Sequence, residues 1–116
     1  MTSRQKPASF ADSNPLLNDL QKRVSSVAHG EESIKRIWLF GSRARGDHNE
    51  QSDVDLCVEI DRDGRHTFGI FDQCRLYRAL RNALDHDVDL VVYEPNSQSA
   101  LFKAIRKDRR LLYERP

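Results

Sequence analysis

The residues best equipped for chemistry in this chain are Asp53 and Asp55, two positions apart in the strand-like run "SDVDLCVEI". A strand that only fills a core gains nothing from two carboxylates, and like charges held close repel. A divalent cation removes the conflict. Hard oxygen donors and few protein contacts suit Mg²⁺, which keeps water and completes its shell with substrate phosphates. Two such ions ~3.5–4 Å apart can activate an attacking oxygen and stabilise a leaving one. Asp89, in "HDVDLVVYEP", offers a third carboxylate, and Asp87 lies two residues before it as a weaker candidate.

Gly41-Ser42 supplies the complementary half. It ends the apolar run "KRIWLF" and is read as a turn, or the opening of a short helix, that exposes backbone N–H groups and a hydroxyl. That is an anion cradle suited to a triphosphate. Arg43 and Arg45 follow and could neutralise phosphate charge. Gly46 lets the chain turn back toward Asp53. Phosphates on the turn and metal on the acids make a phosphoryl-transfer layout. A lone D-x-D often only solvates an exposed strand, and Gly-Ser alone says less. The weight rests on their conjunction with a later acid at matching parity.

The elements that must position these residues follow from periodicity. Asn14-Pro15 reads as the N-cap and first residue of a helix. Its apolar face is Leu16, Leu17, Leu20, Val24 and Val27, with Gly30 as a C′ stop. Strands are expected at 35–40, 52–60 and 86–95, the last stopped by Pro95, with a turn at 61–65. A long helix over 67–84 carries Phe71, Cys74, Tyr77, Leu80 and Leu84 as its inner stripe. Asn96 or Ser97 caps a further helix with Leu101, Phe102 and Ile105, and 109–114 forms a short last strand.

On the second strand Val54, Leu56, Val58 and Ile60 share one face, and Asp53, Asp55, Cys57 and Glu59 the other. On the third, Val88, Leu90 and Val92 oppose Asp87 and Asp89. The dozen residues between strands one and two favour antiparallel pairing, and the long helix between strands two and three suits a parallel crossover. The expected fold is α/β (α+β): a small mixed sheet packed with helices, its carboxylates converging from two strands.

Composition sets the frame. The chain has 116 residues, enough for one modest core. A net charge of +1 creates no bulk field toward nucleic acid or membrane, and no direct nucleic-acid binding is expected. No apolar run is long enough to cross a bilayer and no apolar segment opens the chain, so a cytoplasmic location is expected. Residues 1–13 are polar and read as a flexible N-terminal arm. Cys57 and Cys74 lack metal-ligand spacing and are read as reduced core residues. His29, His48, His66 and His86 are read as surface residues, although His48 lies in the loop before Asp53. Tyr77, Tyr93 and Tyr113 are read as packing residues, Trp38 as core or partner surface, and Arg75, Arg78 and Arg81 as a solvated face.

Gly41-Ser42, the ten residues from Arg43 to Ser52, then Asp53-Val54-Asp55 resemble the signature of the DNA polymerase β-like nucleotidyltransferase superfamily. The wording "GSRARGD…SDVDL" is most similar to the MNT-type minimal nucleotidyltransferases, over about residues 33–115. The resemblance implies a single nucleotidyltransferase domain at 14–116. Asp53, Asp55 and Asp89 would be catalytic and hold Mg²⁺, with two ions expected, and Gly41 and Ser42 would hold the triphosphate of ATP. Roles for Arg43 and Arg45 are inferred from charge and position rather than from the motif. The resemblance further implies an antitoxin that transfers AMP from ATP to a tyrosine hydroxyl of a HEPN-type ribonuclease toxin. Two alternatives stay open: an antitoxin that acts by binding alone, and a transferase for a small molecule or an RNA end.

Overall fold

The computed structural model describes residues 15–63 and 67–116, with side chains from residue 17 onward. The expectations for residues 1–13, Asn14, the Leu16 side chain and His66 lie outside them. Eight elements follow in chain order: α1 (Pro15–His29), β1 (Ile34–Phe40), α2 (Gly41–Arg45), β2 (Val54–Ile60), α3 (Ile70–Leu84), β3 (Val88–Val92), α4 (Ala100–Asp108) and β4 (Arg110–Glu114). The strands form one sheet in the order β3-β2-β1-β4. β1 runs antiparallel to β2 and β2 runs parallel to β3, as the connection lengths favour, and β4 runs antiparallel to β1.

The parity of β2 divides the interior. Val54, Leu56, Val58 and Ile60 join Ile37, Leu39 and Val88 under α1 and α3, which contribute Val24, Ala28, Leu76 and Leu80. The opposite face holds a second cluster in which Trp38, Phe40, Cys57 and Tyr93 meet Phe102 and Ile105 of α4. Tyr93 packs edge-on to both Trp38 and Phe102, at centroid distances of 5.3 and 5.7 Å. Trp38 is therefore core, and Tyr93 and Tyr113 pack as expected. Burial pushes the Cys57 thiol up to about 12, so it stays protonated and inert.

The stripe expected on α3 is corrected. Leu76 and Leu80 are buried and Leu84 packs against them, whereas Phe71 is 84% exposed, Tyr77 is 39% exposed and Cys74 is also exposed. Cys74 is therefore not a core residue. Successive three-residue steps rotate by roughly 60° around a helix, so Phe71, three such steps before Leu80, arrives on the far side from it. The four-residue steps 76-80-84 stay on one face.

Several boundaries also differ. α3 starts after Gly69, whose N–H donates to Asp72 Oδ2 at 2.8 Å. α4 is capped by Ser99, whose hydroxyl oxygen accepts from Phe102 N–H, rather than by Asn96 or Ser97. The third strand is shorter than 86–95. α1 stops before Gly30, but through tightened bonds from Gly30 N–H to Val27 O and Glu31 N–H to Ala28 O, not through a left-handed glycine. No described helix is long and apolar enough to cross a membrane.

Candidate active site

β1 delivers the chain from the core to Gly41, which takes φ +75° and opens the single turn α2. The backbone of Gly41 lies directly against Asp55. A Cβ built on Gly41 would collide with that carboxylate, whose Cγ would be 3.0 Å away. Only glycine fits there, on both conformational and steric grounds. No side chain caps α2 at Phe40. Gly46 closes the turn at φ +88°, and Ser42 O accepts from both Gly46 N–H and Asp47 N–H. The reversal expected at Gly46 is thus a left-handed cap.

The three aspartates sit at the same end of the sheet. Asp55 is paired with Phe40 of β1 on one side and with Asp89 of β3 on the other. Parallel register makes Asp55 and Asp89 direct neighbours on one face. Asp53 precedes β2 and is exposed, as is Asp89, while Asp55 is half-buried. Burial, first, and then the charges of Asp89 and Asp53 push the Asp55 carboxyl above its ordinary value. Arg45 and Arg43 act in the opposite sense.

Asp87 behaves differently from Asp89. Its Oδ1 accepts from Arg81 Nη2 of α3 at 2.8 Å. Asp89 is the residue paired with Asp55 across the strands, and the Asp87 side chain is taken up by Arg81 instead. Among the described residues, no three His, Cys, Asp or Glu side chains are already gathered tightly enough to hold a metal alone. The convergence is looser than alternation suggests: a close pair in Asp55 and Asp89, with Asp53 within electrostatic reach. The donor set still fits Mg²⁺. All the donors are carboxylate oxygens, their mutual repulsion is already expressed at Asp55, and Mg²⁺ takes much of its shell from water and phosphate.

The two arginines are engaged. Arg43 donates through Nε and Nη2 to Ser52 O, at 3.2 and 3.0 Å, and its Nη2 lies 3.2 Å from His86 Nε2. Arg45 donates to Asp47 at 3.1 Å and to Asp108 of α4 at 3.3 Å. Both still bear on Asp55 through space. Sequence reasoning missed His86, Asp108 and Arg110, whose Nε donates to Ala44 O at 2.9 Å and ties α2 to β4. These contacts join residues far apart in the chain, and spacing carries no signal for them.

The family described as Polymerase beta, Nucleotidyltransferase matches residues 22–116. The candidate protein adenylyltransferase MJ1379 of Methanocaldococcus jannaschii is 28% identical over 92 residues, 79% of this chain and 90% of that relative. The solved structure of a candidate minimal nucleotidyltransferase superimposes with a TM-score of 0.62 at 29% identity, over 89% of this chain and 98% of that chain. The tri-AMPylated Shewanella oneidensis HEPN toxin in complex with MNT antitoxin matches with a TM-score of 0.60 at 22% identity, over 86% of this chain and 73% of that chain, a likeness of fold. With the Gly-Ser turn against Asp55 and Asp55 beside Asp89, this chain belongs to the polymerase beta nucleotidyltransferase family.

Proposed function

We propose that this chain is a Mg²⁺-dependent antitoxin that transfers AMP from ATP to a tyrosine hydroxyl of a HEPN-type ribonuclease toxin. The observation that carries the reading is the single contact zone in which the Gly41 backbone touches Asp55 and Asp55 adjoins Asp89. Family membership, the adenylyltransferase naming of a relative and the AMPylated toxin in a neighbour's complex support the reading.

Asp53, Asp55 and Asp89 would hold the metal. When bound, Mg²⁺ neutralises phosphate charge and makes the acceptor hydroxyl more acidic. Gly41 and Ser42 receive the triphosphate on backbone N–H groups and a hydroxyl, and Arg45 and Arg43 add positive potential. The tyrosine oxygen attacks the α-phosphorus in line. Its bond to phosphorus forms as the bond to pyrophosphate breaks, and the phenolic proton passes to Asp89. Positioning and charge neutralisation do most of this work.

The test incubates the chain with α-labelled ATP, Mg²⁺ and a HEPN-type ribonuclease. Label should appear on a toxin tyrosine and RNase activity should fall. Asp53→Asn/Asp55→Asn should lower transfer by about 10³-fold or more. Inhibition that persists in the double variant without label would instead mark neutralisation by binding alone. Label on an RNA end or a small molecule would replace the protein acceptor.

A further inference from the structure

We propose that His86 is a positioning residue that, through Arg43, fixes where Asp53 stands. The inference rests on the reading of Asp53 and Asp55 as the metal-binding pair. Neither His86 nor its contacts belong to the Gly-Ser/D-x-D signature.

Two neighbours at equal distance compete for His86 Nε2, and the proposed role takes the tautomer that serves Arg43. A guanidinium has no acceptor, so the 3.2 Å contact between Arg43 Nη2 and His86 Nε2 requires Nε2 to accept. Nδ1 then carries the ring hydrogen and donates to Asp87 O at 3.1 Å. The Glu50 carbonyl, also 3.2 Å from Nε2, is served only in the other tautomer, in which Nε2 donates and the bond from Arg43 is lost. The imidazole joins α2, the loop before β2 and the start of β3.

Asp53 sits between the two anchored points of this unit. The carbonyl before it, Ser52 O, takes two hydrogen bonds from Arg43. The amide after it, Val54 N–H, donates at 2.9 Å to Asp87 O, the same carbonyl that accepts from His86. A turn made by Asn49 N–H to Ser52 Oγ and Ser52 N–H to Asn49 O stiffens the approach. Asp53 itself is exposed, so no packing holds it. Its placement relative to Asp55 depends on the backbone on either side, and both sides lead to His86. A preset spacing of the acids lowers the ordering cost when an ion binds.

Three variants separate this role from general packing. His86→Gln can put an amide oxygen where Nε2 stands and keep the bond from Arg43. His86→Asn reaches only the Nδ1 position, and His86→Ala keeps neither. Hydrogen exchange is measured first, without nucleotide. The Ser52 and Val54 amides should exchange about tenfold faster in His86→Ala and His86→Asn, and near the wild-type rate in His86→Gln, with the Leu56 and Val58 amides unchanged in all three. Calorimetry with Mg²⁺ and ATP should then show affinity weakened about fivefold in His86→Ala and His86→Asn, and restored to within about twofold in His86→Gln. Equal behaviour of Gln and Asn, or unchanged exchange at Ser52 and Val54 in His86→Ala, would overturn the proposal. If His86→Ala fails to fold, the Gln–Asn contrast still decides. Wild-type chain that takes up no Mg²⁺–ATP would sink the nucleotidyltransferase reading instead, and the exchange result would still judge the clamp.

Discussion

Neighbouring residues of β2 serve two surfaces built on different terms. Leu56 and Val58 point into a wholly apolar layer closed by α1 and α3, where each is fully buried. Asp55 and Cys57 point to the opposite face, which is apolar only over the aromatic cluster under α4 and turns acidic beside Gly41. Arg109 marks the same mixed character, with its guanidinium 4.4 Å from the Trp38 ring centre and 5.6 Å from that of Tyr93. One face is built to be stable. The other keeps enough burial to seat α4 and gives its end to charges that oppose folding. The chemistry proposed above falls on the second face, and the first supplies stability that offsets the like charges there.

The contrast is broken most severely from the apolar side. Leu56→Ala should destabilise the chain by about 2–5 kcal/mol, since no neighbour in a closed layer can fill the space. Cys57→Ala, one residue on and equally buried, should cost about 1 kcal/mol because fewer atoms are lost. Urea unfolding compares the two directly. A Leu56→Ala loss no larger than that of Cys57→Ala would mean that the layer under α1 and α3 yields to fill the space.

A smaller effect tests the contact between turn and acid. Gly41→Ala must hold an alanine at positive φ and force the Asp55 carboxylate aside, whereas Gly46→Ala meets the same backbone penalty with open space around its Cβ. The conformational part should cost about 1–2 kcal/mol at each position. Gly41→Ala should lose more stability than Gly46→Ala, and nucleotide binding measured by calorimetry should fall chiefly in Gly41→Ala. A similar loss in both would dissociate the turn from Asp55.

Much of this arrangement was legible in the residues. The alternation of β2 separated Leu56 from Asp55, and the connection lengths led to one antiparallel and one parallel pairing. Pro15 marked the start of α1, and the Gly41-Ser42 turn led to its place beside the acids. The face of α3 was misread because steps of three and of four both look helical over two turns, and only the partner surface chooses between them. The pairing of Asp87 with Arg81 was not legible, because that contact is made from α3. His86 and Asp108 gave no local sign, since what each does depends on residues about 40 or more positions away.

The subtlest effect should have the opposite sign. The Asp55 carboxyl is raised above its ordinary value, first by burial and then by Asp89 and Asp53, so the folded chain holds that proton more tightly than the unfolded chain. Between the ordinary carboxylate value and the raised one, the native state binds more protons, and stability falls as pH rises through that window. Above it the penalty persists, because a charge now sits where folding disfavours it. Asp55→Asn removes the charge while keeping the shape. It should therefore melt a few degrees higher than wild type near neutral pH, with the difference shrinking as pH falls below the ordinary carboxylate range. Mg²⁺ with ATP should raise the melting temperature of wild type and leave Asp55→Asn almost unmoved, because the repulsion that the ion relieves is gone. A variant less stable than wild type at neutral pH would show Asp55 contributing to the fold as Leu56 does. The acidic end of the sheet would then be structural, and the division between the two faces of β2 would not hold.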